Sequence, residues 1–216
     1  MILRDVASLL SGAALAACSV VGIRDGTEEP AYTVVRTVSP GLEIRRYETR
    51  VAAETVVAGD EGSARSEGFR RLAGYIFGGN HAAASIAMTA PVSTARSKAP
   101  SSETIAMTAP VATAQTPEGW RVRLFMPAKY TMETLPRPND DRVTIVAVPP
   151  AVYAVYRYSG SISAESTAKA QGELRRLLEG SGYAAEGEVV NWFYDPPWTL
   201  PPLRRNEAAV LVRGSS

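Results

Sequence analysis

The alternation of hydrophobic and polar residues predicts most of the strands of this chain. Apolar and charged side chains alternate through Leu42–Tyr47, as expected of a strand with one buried face. Other segments combine alternation with β-branched residues, and several end at turn-forming Pro or Gly. Together these patterns predict strands at Tyr32–Val38, Leu42–Tyr47, Val51–Val57, Trp120–Pro127, Arg142–Val148, Val152–Tyr158, Glu188–Tyr194 and Ala208–Arg213.

The hydrophobic period changes to that of a helix in two places. Within Ser63–Phe77, four apolar residues recur at i, i+3, i+4 and i+7, and Gly78 and Gly79 follow. Ser163 is a suitable N-cap for a second helix that reaches Leu178. The order of elements is strands, helix, strands, and it occurs twice. It predicts an α+β fold of two pseudo-symmetric repeats whose sheet is mostly antiparallel.

One segment of eleven residues occurs twice. Ser85–Ala95 returns nineteen positions later as Thr104–Ala114, with nine identical residues that include Ile-Ala-Met-Thr-Ala-Pro-Val. Small and branched residues predict strands at 85–92 and 104–111, joined by the loop 96–103. This period is too short to generate the two large repeats. The duplication is therefore predicted to add a hairpin within one of them.

The first thirty residues differ in composition from the rest. Val6–Ala17 is an apolar run too short to span a bilayer as a stable helix, and Leu-Ala-Ala-Cys closes it at Cys18. This ending resembles a bacterial lipobox, in which the cysteine becomes the lipid-bearing N-terminus. We therefore predict a signal peptide over 1–18, a flexible tether over 19–30 and a ligand-binding domain over 31–216.

The predicted lipid implies export of the protein. It would attach the chain to the cell membrane or the outer membrane, with the domain facing the periplasm. Three alternatives remain for this leader: an export signal cleaved near Ala17, an uncleaved anchor, and a structural role for Cys18.

Composition excludes several classes of function. The 23 basic and 22 acidic side chains give a net charge of +1 without a long basic run, which argues against nucleic acid as a partner. One Cys and one His cannot build a zinc finger, a disulfide framework or a metal cluster of those two residue types. No Gly-x-Ser-x-Gly motif is present, and we interpret Glu54, Glu133 and Glu173 as scattered surface carboxylates. We predict no catalytic residues, and we expect a monomer.

Several short motifs occur in a fixed order: Ile86–Val92, Phe125–Pro127 with Tyr130 and Thr131, Val146–Pro149, Tyr194–Pro197 and Arg204–Glu207. In this order they resemble the motifs of the SOUL/haem-binding protein family, and the doubled Met-Thr-Ala-Pro resembles its bacterial branch. The resemblance covers roughly Tyr32–Val212. It implies a distorted antiparallel β-barrel of two α+β repeats with two packed helices. It also implies that some relatives bind haem or other tetrapyrroles in a shallow, mainly apolar surface pocket.

A tetrapyrrole site needs a flat apolar slot, cations for two propionates and, for tight iron binding, an axial donor. For the slot, the sequence offers Tyr75, Phe77, Ile86, Met88 and Met107. Core packing is the alternative role of Met88 and Met107, because thioether side chains also fill gaps between other side chains.

The polar groups of such a site have fewer candidates. His81 is the only imidazole, so it is the candidate axial ligand of a haem iron, and a solvent-exposed loop histidine is the alternative. Arg204 and Arg205 either bind propionates through charge-assisted hydrogen bonds or serve the structure. In the structural alternative, Arg205 or Glu207 pairs with Asp195 and holds the C-terminal segment in place.

From the sequence we hypothesise reversible binding of haem or a related tetrapyrrole in an apolar surface groove, without catalysis. Such binding would serve buffering or transfer of the ligand at the cell envelope. Alternatives are another hydrophobic ligand in the same groove, as in sensing domains of the gyrase-inhibitor type, and a structural envelope role without a ligand. Hydrolase activity among gyrase-inhibitor-like relatives leaves an enzyme as a further alternative.

Overall fold

The computed structural model describes residues 27–81 and 102–214. Within these ranges the chain forms the helices α1 (Glu61–Ile76) and α2 (Ala164–Leu178) and a 3₁₀ turn at Pro201–Leu203. Its strands are β1 (Tyr32–Ser39), β2 (Leu42–Tyr47), β3 (Arg50–Val57), β4 (Asn80–His81), β5 (Val111–Thr116), β6 (Gly119–Phe125), β7 (Arg137–Pro138), β8 (Thr144–Val148), β9 (Ala151–Tyr158), β10 (Tyr183–Phe193) and β11 (Asn206–Gly214).

One sheet of nine strands has the order β1-β2-β9-β11-β10-β5-β6-β3-β8, and β4 pairs with β7 beside it. All of these pairings are antiparallel. The order is symmetric about the β10–β5 pair, because β9-β11-β10 on one side corresponds to β3-β6-β5 on the other. Each of these halves contains one helix, between its first and second strand along the chain. The predicted α+β fold of two repeats is therefore confirmed.

The two repeats also exchange a strand. β2 precedes β3 in the chain but pairs with β9, whereas β8 precedes β9 and pairs with β3. The strand order ends at β1 on one side and at β8 on the other, and no pairing of these two strands is seen in the described ranges. Closure of the sheet into a barrel stays a prediction.

Local capping fixes where the two helices begin. Ser163 accepts a hydrogen bond from the Ser166 amide at 3.3 Å, which confirms the predicted N-cap of α2. α1 begins earlier than predicted, because the carboxylate of Asp60 accepts the Ser63 amide at 3.0 Å and caps a helix that includes Glu61. Neither helix is long and apolar enough to cross a bilayer.

Both helices pack on the same face of the sheet. α1 covers β3 and β6, and α2 covers β9, β10 and β11. Each helix buries an apolar cluster with the strands beneath it; Leu72 and Val122 belong to one cluster, and Leu174 and Val210 to the other. The opposite face of the sheet has no helix on it among the described residues.

Alanine at Gly68 is expected to destabilise the protein by about 1–3 kcal/mol, because α1 touches β6 at this position. A Cβ at Gly68 would lie 2.5 Å from a methyl carbon of Val122. Gly74 in the same helix has open space around the Cβ position, so alanine there is expected to stabilise by roughly 0.5–1 kcal/mol. Urea unfolding of both variants measures these effects. Equal effects of the same sign would contradict the close contact.

The predicted strand at 104–111 is wrong, because the strand in this part of the chain is β5, which starts at Val111. Pro110 has no N–H to give to a ladder. The two residues before it are held by other elements: the Thr108 hydroxyl donates to the Phe125 carbonyl, and the Ala109 amide donates to the Glu28 carbonyl at 3.0 Å. The predicted strand at 85–92, and with it the hairpin, lies outside the described residues.

Candidate functional site

The sheet face without helices contains a cleft of about 340 Å³. Alternation along β6 explains its position, since Val122 and Leu124 face the helices whereas Arg121, Arg123 and Phe125 face the cleft. The remaining lining side chains come from β3, β5, β8, β9 and β10: Arg50, Ala112, Ala114, Val148, Tyr153, Val190 and Trp192. β5 contributes only alanines, which the larger side chains around them bury.

A second cleft of about 200 Å³ adjoins the first and shares Arg50, Phe125 and Trp192 with it. Its other lining residues are Glu29, Pro30, Tyr47, Pro110 and Tyr194. The segment before β1 and the duplicated motif before β5 therefore both line the second cleft.

Aromatic rings cluster along both clefts. The rings of Tyr47 and Trp192 are 5.5 Å apart and nearly perpendicular, at 80°. Tyr153 lies 5.9 Å from Tyr47 and 5.5 Å from Trp192. Contacts of this kind fix ring orientation and stabilise each pair by about 0.5–1.5 kcal/mol. Tyr47 and Trp192 are themselves buried, so among these three rings the partly exposed Tyr153 is the one that a planar ligand can contact.

Three arginines give the first cleft a positive charge. The guanidinium of Arg50 lies 4.3 Å from the ring centre of Tyr47 and 4.6 Å from that of Phe125. Arg123 forms an ion pair with Glu54 at 2.6 Å. The Nε atoms of Arg50 and Arg121 are buried and have no hydrogen-bond partner among the described residues.

The two partnerless Nε atoms belong to cations that burial destabilises. Burial lowers the pKa of Arg50 and of Arg121, and the neighbouring Arg123 adds to the effect at Arg121. Buried polar groups in proteins nearly always have partners, so a partnerless N–H in a cleft calls for an explanation. A bound anion would supply both the hydrogen bond and the opposite charge.

A buried ion network lies beside the second cleft. Glu207 is 0% exposed and accepts hydrogen bonds from Arg45 at 3.0 Å, from the Tyr194 hydroxyl at 2.7 Å and from Arg205 at 3.1 Å. Arg205 also pairs with Glu29 at 2.9 Å. The last residues of the predicted tether are thereby held against the domain.

Alkaline titration is expected to report on Tyr47. Burial raises its pKa to about 12, against the opposing effect of Arg45, whereas an unfolded tyrosine titrates near pH 10. Below pH 10 the stabilisation is fully present. Between about pH 10 and 12 the unfolded chain loses the proton first, so the free energy of unfolding falls. Urea unfolding at several pH values should give a shallower fall for Tyr47→Phe, and identical slopes would contradict this environment.

The predicted slot residues are spread over different environments. Tyr75 lies on the buried face of α1, and its hydroxyl donates to the Pro136 carbonyl at 2.8 Å. Phe77 and Met107 are exposed. Ile86 and Met88 lie outside the described residues. None of the described slot residues lines either cleft, so a ligand contact by them stays a prediction.

The predicted polar groups also lie away from the clefts. His81 is on β4, where its Nδ1 lies 2.7 Å from the side-chain oxygen of Asn139. The guanidinium of Arg204 donates to the carbonyls of Thr199 and Pro197 at 2.7 and 2.6 Å. The contacts of Arg205 with Glu29 and Glu207, and of its amide with Asp195 at 2.7 Å, correspond to the structural alternative. Haem contacts by these three residues stay a prediction.

The lining residues that the sequence did not reveal are the arginines and the aromatic cluster. The sequence signal that could have revealed the arginines is the Arg-Val-Arg alternation at 121–123, which puts two cations on one face of a strand. The described residues contain no group of three or more His, Cys, Asp or Glu side chains placed to hold a metal ion. The arrangement is suited to bind an aromatic anion.

Comparison with known proteins agrees with this fold. The family described as SOUL heme-binding protein matches residues 27–104 and 95–211, and each match contains one copy of the duplicated segment. No curated protein sequence matches the chain. The EcmrR C-terminal domain is similar in structure, with a TM-score of 0.51 at 10% identity, over 85% of this chain and 98% of that one.

A structure described as a hydrolase from Listeria innocua has a TM-score of 0.50 at 13% identity, over 79% of this chain and 91% of that one. At such low identities these similarities concern the fold alone. The family match is different in kind, because its two segments together extend from residue 27 to residue 211. This chain therefore belongs to the SOUL haem-binding protein family.

Proposed function

We propose that this protein reversibly binds haem or a related tetrapyrrole in the cleft on the helix-free face of the sheet. The observation that carries the proposal is the pair of buried, partnerless Nε atoms of Arg50 and Arg121 beside a cluster of aromatic rings. A tetrapyrrole combines the two features that this cleft complements, a planar apolar ring and carboxylates on one edge. The family description supports the same ligand class.

The lining of the cleft suggests how the ligand would lie. The propionate edge would enter the first cleft beside Arg50 and Arg121, and the ring would extend across the partly exposed Tyr153 towards the second cleft. Because part of the ring stays outside, exchange with another carrier is easy, which suits buffering or transfer without turnover.

Iron ligation contributes little in this arrangement. Glu29, Tyr47 and Tyr194 supply oxygen donors in the second cleft. Glu29 is paired with Arg205, and burial raises the pKa of Tyr47 to about 12 and that of Tyr194 well above its usual value. Neutral phenols are poor ligands for ferric iron compared with tyrosinate. We therefore expect the cleft to bind the iron-free ring about as well as haemin.

The charge of the cleft also separates this proposal from its rivals. Lipophilic cations, as ligands of a sensing domain, would meet Arg50 and Arg121 without a facing carboxylate, since Glu54 is already paired with Arg123. An envelope role without a ligand would leave the two buried Nε atoms partnerless.

We further propose that Cys18 carries a lipid, which holds the domain at the periplasmic side of a membrane.

A titration tests the ligand and its position together. The chain from Ser19 onward, which contains every described strand and helix, is titrated with haemin and with iron-free protoporphyrin, and absorbance and Trp fluorescence are followed. We expect saturable one-to-one binding of both, unchanged in His81→Ala. A Soret shift that is lost in His81→Ala would move the site to the predicted axial histidine. No saturation with either ligand would refute tetrapyrrole binding.

A further inference from the structure

An exposed apolar loop joins β10 to β11, away from the clefts. Its eight residues, Pro196–Leu203, contain no ionisable side chain. The side chains of Trp198, Leu200 and Leu203 are 63%, 50% and 45% exposed, which places them among the four most exposed large apolar residues of the described ranges. We refer to these eight residues as the Trp198 loop.

The Trp198 loop is rigid although it is exposed. Arg204 donates from its guanidinium to the carbonyls of Pro197 and Thr199, and Gly160 donates its amide to Pro201 at 2.8 Å. Within the loop, the Leu203 amide donates to Leu200 at 2.9 Å and the Thr199 amide to Pro196 at 3.1 Å. Fixing the backbone in advance removes most of the entropy that a flexible loop would lose on binding.

These hydrogen bonds also determine which partner suits the loop. The carbonyls of five loop residues accept hydrogen bonds within the protein, and four of the eight residues are prolines, which have no N–H. Each backbone group that is already paired lowers the cost of moving the loop out of water, because unsatisfied groups make entry into lipid unfavourable. Pairing with a strand of another protein would instead need free backbone groups.

From this combination we infer that the Trp198 loop is a membrane contact site that inserts into the interfacial layer of a phospholipid bilayer. Trp is enriched at this depth because its ring is apolar and its N–H is polar, and Leu side chains extend deeper. The inference concerns a different surface from the tetrapyrrole cleft and does not depend on that ligand.

The path of the N-terminal segment supports a lipid partner. Glu29, which continues from the predicted lipid-bearing leader, pairs with Arg205, two residues after the Trp198 loop. From Cys18 to Glu29 an extended chain spans at most roughly 40 Å. A lipid on Cys18 would therefore keep the loop close to the same bilayer. A second contact would orient the domain on that bilayer.

Vesicle binding of the unlipidated protein tests the loop directly. The chain from Ser19 onward is sedimented with phosphatidylethanolamine–phosphatidylglycerol vesicles, and Trp198→Ser/Leu200→Ser is compared with Phe77→Ser. Phe77 is the matched control because it is 60% exposed at the end of α1, in a different part of the fold. We expect at least tenfold weaker partitioning for the double variant and no change for the control. Absence of vesicle binding by the wild type would overturn the inference.

Fluorescence quenching places the contact at one residue. Brominated lipids should quench the wild-type chain more than Trp198→Phe, because Trp198 is 63% exposed whereas Trp192 is buried and Trp120 on β6 is only partly exposed. Equal quenching of the two proteins would exclude insertion of the loop even if the vesicles bind the chain elsewhere. Circular dichroism verifies the fold of each variant, and protoporphyrin binding by the two Trp198 variants separates failure of this inference from failure of the proposed function.

Discussion

Glu207→Gln is expected to lower the free energy of unfolding by roughly 3–5 kcal/mol, the usual effect of removing one partner from a buried ion pair. Glu207, in β11, is 0% exposed, and its carboxylate forms ion pairs with Arg45 and Arg205. Burial alone would lower the pKa of Arg45, but the charge of Glu207 and local hydrogen bonds outweigh burial and raise it. Without this carboxylate, Arg45 stays buried with only Glu43 as an ionic partner.

Urea unfolding of Glu207→Gln measures this effect, with Glu173→Gln as the control. Glu173 forms an exposed pair with Arg176 in α2, and such pairs contribute little to stability because solvent screens them. Similar losses in the two variants would show that burial of the network has no special role. Since the same network holds Glu29, the first variant should also increase proteolysis in the segment before β1.

The sequence predicted the repeats of the fold because local patterns determine them. Period and capping are local properties, so Ser163 and the alternation of Leu42–Tyr47 identified an N-cap and a strand correctly. The start of α1 was missed because the Asp60 cap lies before the apolar stripe. The strand at 104–111 was missed for a different reason: contacts of Thr108 and Ala109 with distant residues divert the chain.

The candidate site was harder to predict than the fold. Alternation shows which side chains share a face of a strand, but not which face the helices leave uncovered. Arg50 and Arg121 line the same cleft only because β3 pairs with β6, although α1 and the duplicated segment separate these two strands in the sequence. The predicted slot instead followed the duplicated segment. Its first copy lies outside the described residues, and its second copy lines the clefts at Pro110, Ala112 and Ala114.

The neutralisation of Arg121 is expected to have the largest effect on ligand binding. Arg121→Met should lower the affinity for protoporphyrin by roughly tenfold to a hundredfold, because a hydrogen bond between charged groups is worth about 1.5–3 kcal/mol. Methionine retains most of the apolar stem, so the wall of the cleft is preserved. Arg142→Met is the matched control, since Arg142 is exposed, paired with Asp140 and absent from both cleft linings.

The dimethyl ester of protoporphyrin lacks the two negative charges of the acid. It therefore distinguishes loss of a charge contact from a change in the shape of the cleft. Arg121→Met should bind the ester as the wild type does, and an equal loss for ester and acid would contradict a carboxylate contact.

The reverse change is expected in Glu54→Gln, because it releases Arg123 from its ion pair at 2.6 Å and adds an available cation to the cleft. Tighter binding of the acid but not of the ester by Glu54→Gln would identify the arginines of β6 as the groups that bind the propionates.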